Sequence, residues 1–564
     1  MDFKKAGWVW VLAAVLLMIF GALILVRRDP LYVSPDETAN AFFISTFAES
    51  GKLYVFESLN VPFEDLLHPR SVLSVNARYV PAGFLGLPVI YGAMAGWGRW
   101  LVPILTPLLA AGAVAAWYGL MARLFDREVA RLSAILLALH PAWWYYAARG
   151  LMPNVPFLSM LIIGAWVLVA RPVARISARS RRTMPKWIAQ LDLVMGGVFL
   201  GWAVMIRPSE AIWMTVAALV LAAFYRKFIS WRSVVVVAAS AGLALAPVPL
   251  LHRELYGSAF ATGYTAENAG DDALLEELNV PLSAPVAPVI AEDAPGWWHD
   301  FQKAIEPILP FGFHPRNVVR HMAWYAFGLF WWLTALALIG FPMAAVTKGL
   351  PSEVRQRRRA YLLAGVLASG WLFVLYGSWV IHDNPDPSAV SIANSYVRYW
   401  LPFFAWTTPF MAMTILWLAK RTITPHARIA ATVAMVVLLA GLNVHATFLS
   451  PHDGLVQAAG QLDRSREIRD RLLELTEDDA VVIVDRSDKL FFPHRTVRYP
   501  LRDEVTYALM PRLVLAAPLY YYGITFPQTD VDYLNNEKLK AMGLQIEIIE
   551  TFDAESLYRI RQAP

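Results

Sequence analysis

The chain has 564 residues, 57% of them hydrophobic and only 16% charged. A soluble domain carries about a quarter charged residues, so a soluble globular protein is excluded. The net charge of +5 is spread over short basic loops, which argues against nucleic acid, and the absence of cysteine excludes disulfides, thiolate catalysis and cysteine-based metal sites.

A polytopic membrane protein remains. Mean hydropathy is +0.45, and many apolar runs approach the ~20 residues that cross ~30 Å of hydrocarbon. The 22 Trp and 22 Tyr suit interfacial belts and sugar-binding surfaces alike. Lys4 and Lys5 precede an apolar run from Gly7 to Val26 with no small-residue cleavage signature after it. It reads as a retained signal-anchor with a cytoplasmic N-terminus. Further helices are expected near 100–122, 132–148, 155–170, 191–206, 210–225, 233–251, 322–346, 360–381, 399–418 and 429–449. The fold class is therefore an all-α polytopic membrane protein of about 11 transmembrane helices.

Basic clusters occur at Arg123, Arg127 and Arg131; from Arg171 to Lys186; at Arg226, Lys227 and Arg232; at Lys348 and Arg355 to Arg359; and at Lys420, Arg421 and Arg428. Placing all of them in the cytoplasm makes every second loop cytoplasmic. Arg27-Arg28 breaks the rule locally, beside Asp29. The outer pieces are a first loop of about 27–98, the turn Arg149 to Pro156, a long loop of about 252–320, and a shorter one of about 382–398. The Gly/Pro-interrupted apolar stretch Phe84 to Trp97 reads as a helix in the outer interface. Beyond Leu449 the apolar density drops. Gln461 to Leu475 is helix-periodic, and Ala480–Val484 and Gln545–Ile549 are strand-like, which predicts a small soluble α/β domain on the outer face. The expected division is 1–450 for the membrane domain and 451–564 for the soluble one. No internal repeat is present.

The dipeptide Asp36-Glu37 follows the first span within the outer loop. Adjacent carboxylates beside a membrane helix are costly unless they serve a task. Such a carboxylate suits a general base acting on a lipid-borne substrate; the plain alternative is a helix cap through Ser34-Pro35-Asp36. Arg78-Tyr79 lie at the membrane surface as substrate contacts or as a snorkelling Arg with a belt Tyr. Arg149 and Asn154 flank Leu151-Met152-Pro153, in a functional or merely helix-terminating turn. Arg207-Pro208 reads first as a tight turn. Arg398-Tyr399 sits at an outer helix end, where an Arg can grip a phosphate bidentately or anchor the interface. His252, His299, His314, His321 and His382 show no zinc-ligand spacing, and no metal site is proposed. Asp485, Arg486, Asp488 and Lys489 read as a solvated loop beside a strand.

In combination these elements resemble the GT-C superfamily of integral-membrane glycosyltransferases. The branch they resemble is the prokaryotic one related to protein O-mannosyltransferases and the lipid A aminoarabinose transferase (glycosyltransferase family 39-like). The signs are the acidic pair after the first helix; Arg78-Tyr79-Val80-Pro81 before the interfacial helix; and the Met-Pro-x-x-Pro turn at Met152–Pro156. Gly-Trp-Ala-Val-Met-Ile-Arg-Pro at Gly201–Pro208, Leu255 to Tyr264, and Arg398-Tyr399 complete the set. The likeness covers about 7–450. It implies that Asp36 is the catalytic base and that Glu37 orients the acceptor or supports the base. It also implies that Arg398 lies near the donor phosphate, and that Arg78 and Tyr79 lie at lipid-phosphate contacts, where several relatives have Lys-Pro. At Asn154 many relatives carry an acid; the amide favours a metal-independent enzyme over one with a divalent metal, which needs clustered oxygen anions. No cofactor is expected.

The expected function is inverting transfer of a monosaccharide from a polyprenyl-phosphate donor to an acceptor hydroxyl, on the outer face of the plasma membrane. Single displacement needs a base for the acceptor proton and cations for the departing phosphate. Asp36 suits the first, and Arg398 with Arg78 or Arg149 the second. The expected partners are that donor, a glycan, lipid or protein acceptor, and membrane lipids. The alternatives are a lipid-linked oligosaccharide polymerase or ligase, and a lipid or sugar transporter. Transport is disfavoured by the missing repeat and by charges placed at the outer edge.

Overall fold

The computed structural model describes residues 7–25, 31–170, 190–226, 229–266, 296–306, 308–346, 349–381, 383, 389–501 and 503–564. Arg27-Arg28, the basic cluster from Arg171 to Lys186, Lys227, Lys348, His382 and much of the long loop lie outside them. The chain forms two compact units. One holds residues 1–26, 103–246 and 286–457; the other holds 27–102, 247–285 and 458–564.

The first unit is helical. Among the described residues, six helices are long and apolar enough to cross a membrane, and a pair bent by 96°, Pro315–Gly328 with Trp331–Ala345, makes a seventh. Shorter apolar helices include Leu12–Leu23, Asn154–Ala170 and Leu191–Ile206. The expected single helix 132–148 is two, Arg127–Ala138 and Pro141–Ala148. Pro141 has no N–H to continue the ladder. His140 turns extended there, and its Nδ1 accepts the Ala142 N–H at 3.3 Å, capping the second piece. The expected helix 233–251 likewise breaks before Pro247.

Small residues let these helices approach closely, as packing in lipid requires. Gly197 and Gly201 lie one turn apart on Leu191–Ile206. A Cβ there would stand 2.6 Å from the carbonyl oxygens of Val237 and Ala241 respectively. Deeper in, Trp117 Nε1 donates to Ser133 Oγ and Thr408 Oγ1, both at 3.0 Å, joining three helices by buried polar bonds. Large apolar side chains such as Leu219 and Leu243 remain exposed, a surface suited to lipid.

The second unit is α/β. In the first loop, helix Pro35–Ser50 is followed by β1 (Val55–Phe56), β2 (Val72–Ser74) and β3 (Arg78–Pro81), an antiparallel sheet in the order β1-β3-β2. Helix Gly86–Ala95, within the expected interfacial stretch, packs on Pro35–Ser50. The C-terminal part has β4 (Val481–Val484), β5 (Thr496–Arg498), β6 (Leu519–Ile524), β7 (Leu544–Phe552) and β8 (Glu555–Gln562). Their order is β5-β4-β6-β8-β7; β4 runs parallel to β5 and β6, and β8 antiparallel to β6 and β7. The small C-terminal α/β domain is thus as expected. One hydrophobic core runs through Phe43, Val80 and Leu85 of the first loop and Val482, Phe491, Phe492 and Tyr522 of the C-terminal part. The first loop therefore groups with residues 458–564, where the sequence suggested it would group with the membrane helices. Its helix and strands are too short and too lightly patterned to stand out in the sequence.

Candidate functional site

Asp36 and Glu37 occupy the first turn of Pro35–Ser50, where Pro fits the first position and negative charge complements the helix dipole. The helix starts with a capping box. Glu37 N–H donates to Ser34 Oγ at 3.3 Å, and Glu37 Oε2 accepts the Ser34 N–H at 3.3 Å. Glu37 is 2% exposed. Its charge and burial together push the Tyr32 hydroxyl up to about 12, burial being the larger cause. Asp36 is partly exposed and is held differently: its Oδ1 accepts the Ser71 hydroxyl at 2.7 Å. The two acids therefore do different jobs, one closing the helix start and the other facing the loop.

Arg78 and Tyr79 point to opposite faces of β3, as strand geometry requires. The Arg78 guanidinium lies 4.5 Å from the Tyr54 ring. Tyr79 is a core residue, edge-on to Phe492 at 5.8 Å, and burial pushes its hydroxyl well above its ordinary value.

The remaining candidates lie in the helical unit. Arg149 ends Pro141–Ala148, is buried, and stands 5.8 Å from both the Tyr145 and Tyr146 rings. The Arg398 guanidinium lies 2.9 Å from Met152 Sδ and 5.2 Å from the Tyr399 ring. Both arginines, together with Asp383, act electrostatically on Tyr146. The segment leading to Arg398 is stapled in place. The Tyr146 hydroxyl lies 3.0 Å from the carbonyls of Ile392 and Ala393, and Asp383 accepts the Ser395 N–H at 2.7 Å. Asn154 starts helix Asn154–Ala170; its Oδ1 is buried and has no hydrogen-bond partner among the described residues.

Arg207 joins this group through Tyr399, whose ring lies 5.0 Å from its guanidinium. Its charge is met by buried Glu210: Nε donates to Oε1 at 2.9 Å, and Nη2 donates to the Tyr376 hydroxyl at 2.7 Å. Trp213 Nε1 donates to the other Glu210 oxygen at 2.6 Å, and Tyr376 stacks on Tyr399 at 4.2 Å. Arg207 and Arg398 thus share one aromatic ring, the first neutralised by its carboxylate.

The chain superposes on the crystal structure of ArnT from Cupriavidus metallidurans. The TM-score is 0.50 against both the apo state and the state bound to undecaprenyl phosphate, at 12% and 13% identity, covering 99% of this chain and 98% of that one. The chain shares the fold of that protein. Archaeal oligosaccharyltransferase AglB from Archaeoglobus fulgidus is also similar, with a TM-score of 0.49 and 13% identity over 96% of this chain and 72% of that one. No family model matches the sequence, and neither does any curated protein.

On this fold the sequence candidates fall into two groups. Asp36 and Glu37 are neighbours in the second unit, with Arg78 and Tyr79 in the adjoining sheet. Arg149, Asn154, Arg207, Arg398 and Tyr399 belong to the first. Among the described residues no group of three or more His, Asp or Glu side chains converges.

Sequence reasoning missed Glu210, whose signal was its i,i+3 spacing from Arg207 at a helix start. It missed Ser71, which carries no sequence signal. It also misread Asp488, which is 1% exposed and clamped to Arg70, where a solvated loop was expected. Beside it, Lys489 Nζ donates to the Val33 carbonyl at 3.0 Å.

Proposed function

We propose that the chain is an inverting GT-C glycosyltransferase that moves a monosaccharide from a polyprenyl-phosphate donor to an acceptor hydroxyl on the outer face of the membrane. The observation that carries this reading is the separate fixing of the two acids. Glu37 closes the capping box, while Asp36 is partly exposed and accepts the hydroxyl of Ser71. An oriented carboxylate at a helix start is what a general base requires. The fold it shares with ArnT, which binds undecaprenyl phosphate, supports a lipid-phosphate donor.

The chemistry is a single displacement. The acceptor oxygen attacks the anomeric carbon and gives its proton to Asp36. The bond from that carbon to the phosphate oxygen breaks, and polyprenyl phosphate leaves with the electron pair. Arg398 and Arg149 carry the charge suited to the departing phosphate. Asn154, whose buried amide oxygen has no hydrogen-bond partner among the described residues, suits a sugar hydroxyl. Arg207, neutralised by Glu210, acts on Arg398 only by holding Tyr399. Arg78, on Tyr54, suits a lipid headgroup or the acceptor, and Tyr79 supports it from the core.

The test is a panel of radiolabelled polyprenyl-phosphate sugars with protein in lipid and a membrane extract as acceptor source. Release of polyprenyl phosphate from one donor, with inversion at the anomeric carbon of the product, supports the reading. Turnover only of diphosphate-linked donors would replace it with a polymerase or ligase.

A further inference from the structure

Asp488, in the C-terminal part, reaches Asp36 through two residues of the first loop. Its Oδ2 accepts the backbone N–H of Arg70 at 2.9 Å. Its Oδ1 accepts Arg70 Nε at 3.2 Å and Nη2 at 2.6 Å. Arg70 Nη2 also donates to the Arg486 carbonyl. A residue gripped by main chain and side chain together has little freedom to pass to its neighbour.

That neighbour is Ser71, with φ of +63°. An L residue enters this region at a cost of roughly 1–2 kcal/mol, so something must hold it there. The clamp on Arg70 is on one side. On the other, the Ser71 carbonyl accepts the Ala82 N–H at 3.2 Å. In this conformation the Ser71 hydroxyl meets Asp36 Oδ1 at 2.7 Å.

Two further contacts from the same C-terminal stretch fix the helix that bears Asp36. Lys489 Nζ donates to the carbonyl of Val33, just before the capping box. Phe492 packs edge-on against Phe42, within that helix, at 4.8 Å. Residues 488–492 thus hold both the acid's helix and the hydroxyl that orients the acid.

We infer that the C-terminal domain is part of the catalytic apparatus, with Asp488 a positioning residue that sets the Asp36 carboxylate through Arg70 and Ser71. The inference rests on Asp36 being the base. Its physical content is that a displacement of about 1 Å at a reacting group costs up to ~10²-fold in rate.

The experiment is a double-mutant cycle on the full chain in lipid, with the polyprenyl-phosphate sugar that supports turnover. Its members are Asp488→Asn, Ser71→Gly and the pair. Gly adopts positive φ without strain, so Ser71→Gly removes the hydroxyl and keeps the loop. Each single variant is expected to lower kcat about 10- to 100-fold with the donor KM unchanged. Because the two act in series, the pair is expected to be no slower than the slower single.

Wild-type kcat in Ser71→Gly, or losses that multiply in the pair, would overturn the inference; a merely structural role gives the multiplying result. Should Asp488→Asn fail to fold, Arg70→Gln takes its place, keeping the main-chain half of the clamp. Asp36→Asn in the same assay separates the two claims. Turnover by that variant removes the assigned base itself. A dead Asp36→Asn beside a normal Ser71→Gly removes only the positioning role.

Discussion

Glu37 closes back on Ser34, its carboxylate 3.3 Å from the Ser34 backbone nitrogen and 3.4 Å from its hydroxyl. This makes the second acid of the pair a helix-start device. Gln serves at this position of a capping box as Glu does. Glu37→Gln is therefore expected to keep wild-type stability and to lower kcat less than about tenfold. Glu37→Ala is expected to cost about 1 kcal/mol, the usual worth of a cap. Thermal melts and steady-state rates check both. A loss of about a thousandfold in folded Glu37→Gln would return the acid to the chemistry.

The Arg207–Glu210 pair is buried on both sides, at 5% and 1% exposure. Removing one member leaves an uncompensated charge, at a cost of about 3–5 kcal/mol. Glu210→Ala is expected to destabilise by that amount. Arg207→Met combined with Glu210→Leu is expected to be more stable than Glu210→Ala alone, because no buried charge remains. Thermal unfolding in detergent ranks the three. Equal stability of wild type and Glu210→Ala would show that the pair is hydrated.

Two tyrosines of the second unit make it sensitive to alkali. Tyr32 and Tyr520 are each pushed up to about 12 from 10.0, mainly by burial, with a carboxylate, Glu37 or Glu477, adding to it. A raised folded value means the neutral form is favoured by folding. The associated stability is complete below pH 10 and is lost as pH rises from 10 towards about 12. Each is worth on the order of 1–3 kcal/mol. Tyr32→Phe and Tyr520→Phe are expected to flatten the fall in melting temperature over that range. A slope unchanged in the double variant would contradict this.

Helix contact in the first unit has a sharp test in two glycines. A Cβ at Gly201 meets the Ala241 carbonyl oxygen at 2.6 Å, whereas one at Gly242 meets no atom of the described residues within 4 Å. Gly201→Val is expected to destabilise by about 1–3 kcal/mol or more, since a helix backbone cannot give way as a side chain can. Gly242→Ala is expected to be neutral or to stabilise by up to about 1 kcal/mol. Melting temperatures in one detergent compare them directly.

The membrane helices were legible because a span declares itself by length and apolarity. The helix found at Leu191–Ile206 is the one the sequence predicts to the residue. The breaks at His140-Pro141 and before Pro247 were less legible, since a Pro in an apolar run kinks or ends a helix according to packing. The grouping of the first loop with the C-terminal domain was not legible at all. It depends on pairs such as Arg70 with Asp488 and Phe42 with Phe492, more than 400 residues apart. Asp36 stood out because an acidic pair beside a span is rare. Ser71 did not, because its role comes from backbone conformation and an opposing partner, neither of which leaves a local pattern.

The central claim is that Asp36 takes the acceptor proton. The most direct measurement is turnover and donor binding by Asp36→Asn, in lipid, with the donor identified for the wild type. Asn keeps the size of the side chain and can still pair with Ser71, but it accepts no proton at neutral pH. The account predicts wild-type donor affinity and melting temperature with kcat reduced by about 10²–10⁴-fold, the usual worth of a general base. Full turnover by a folded Asp36→Asn would contradict it.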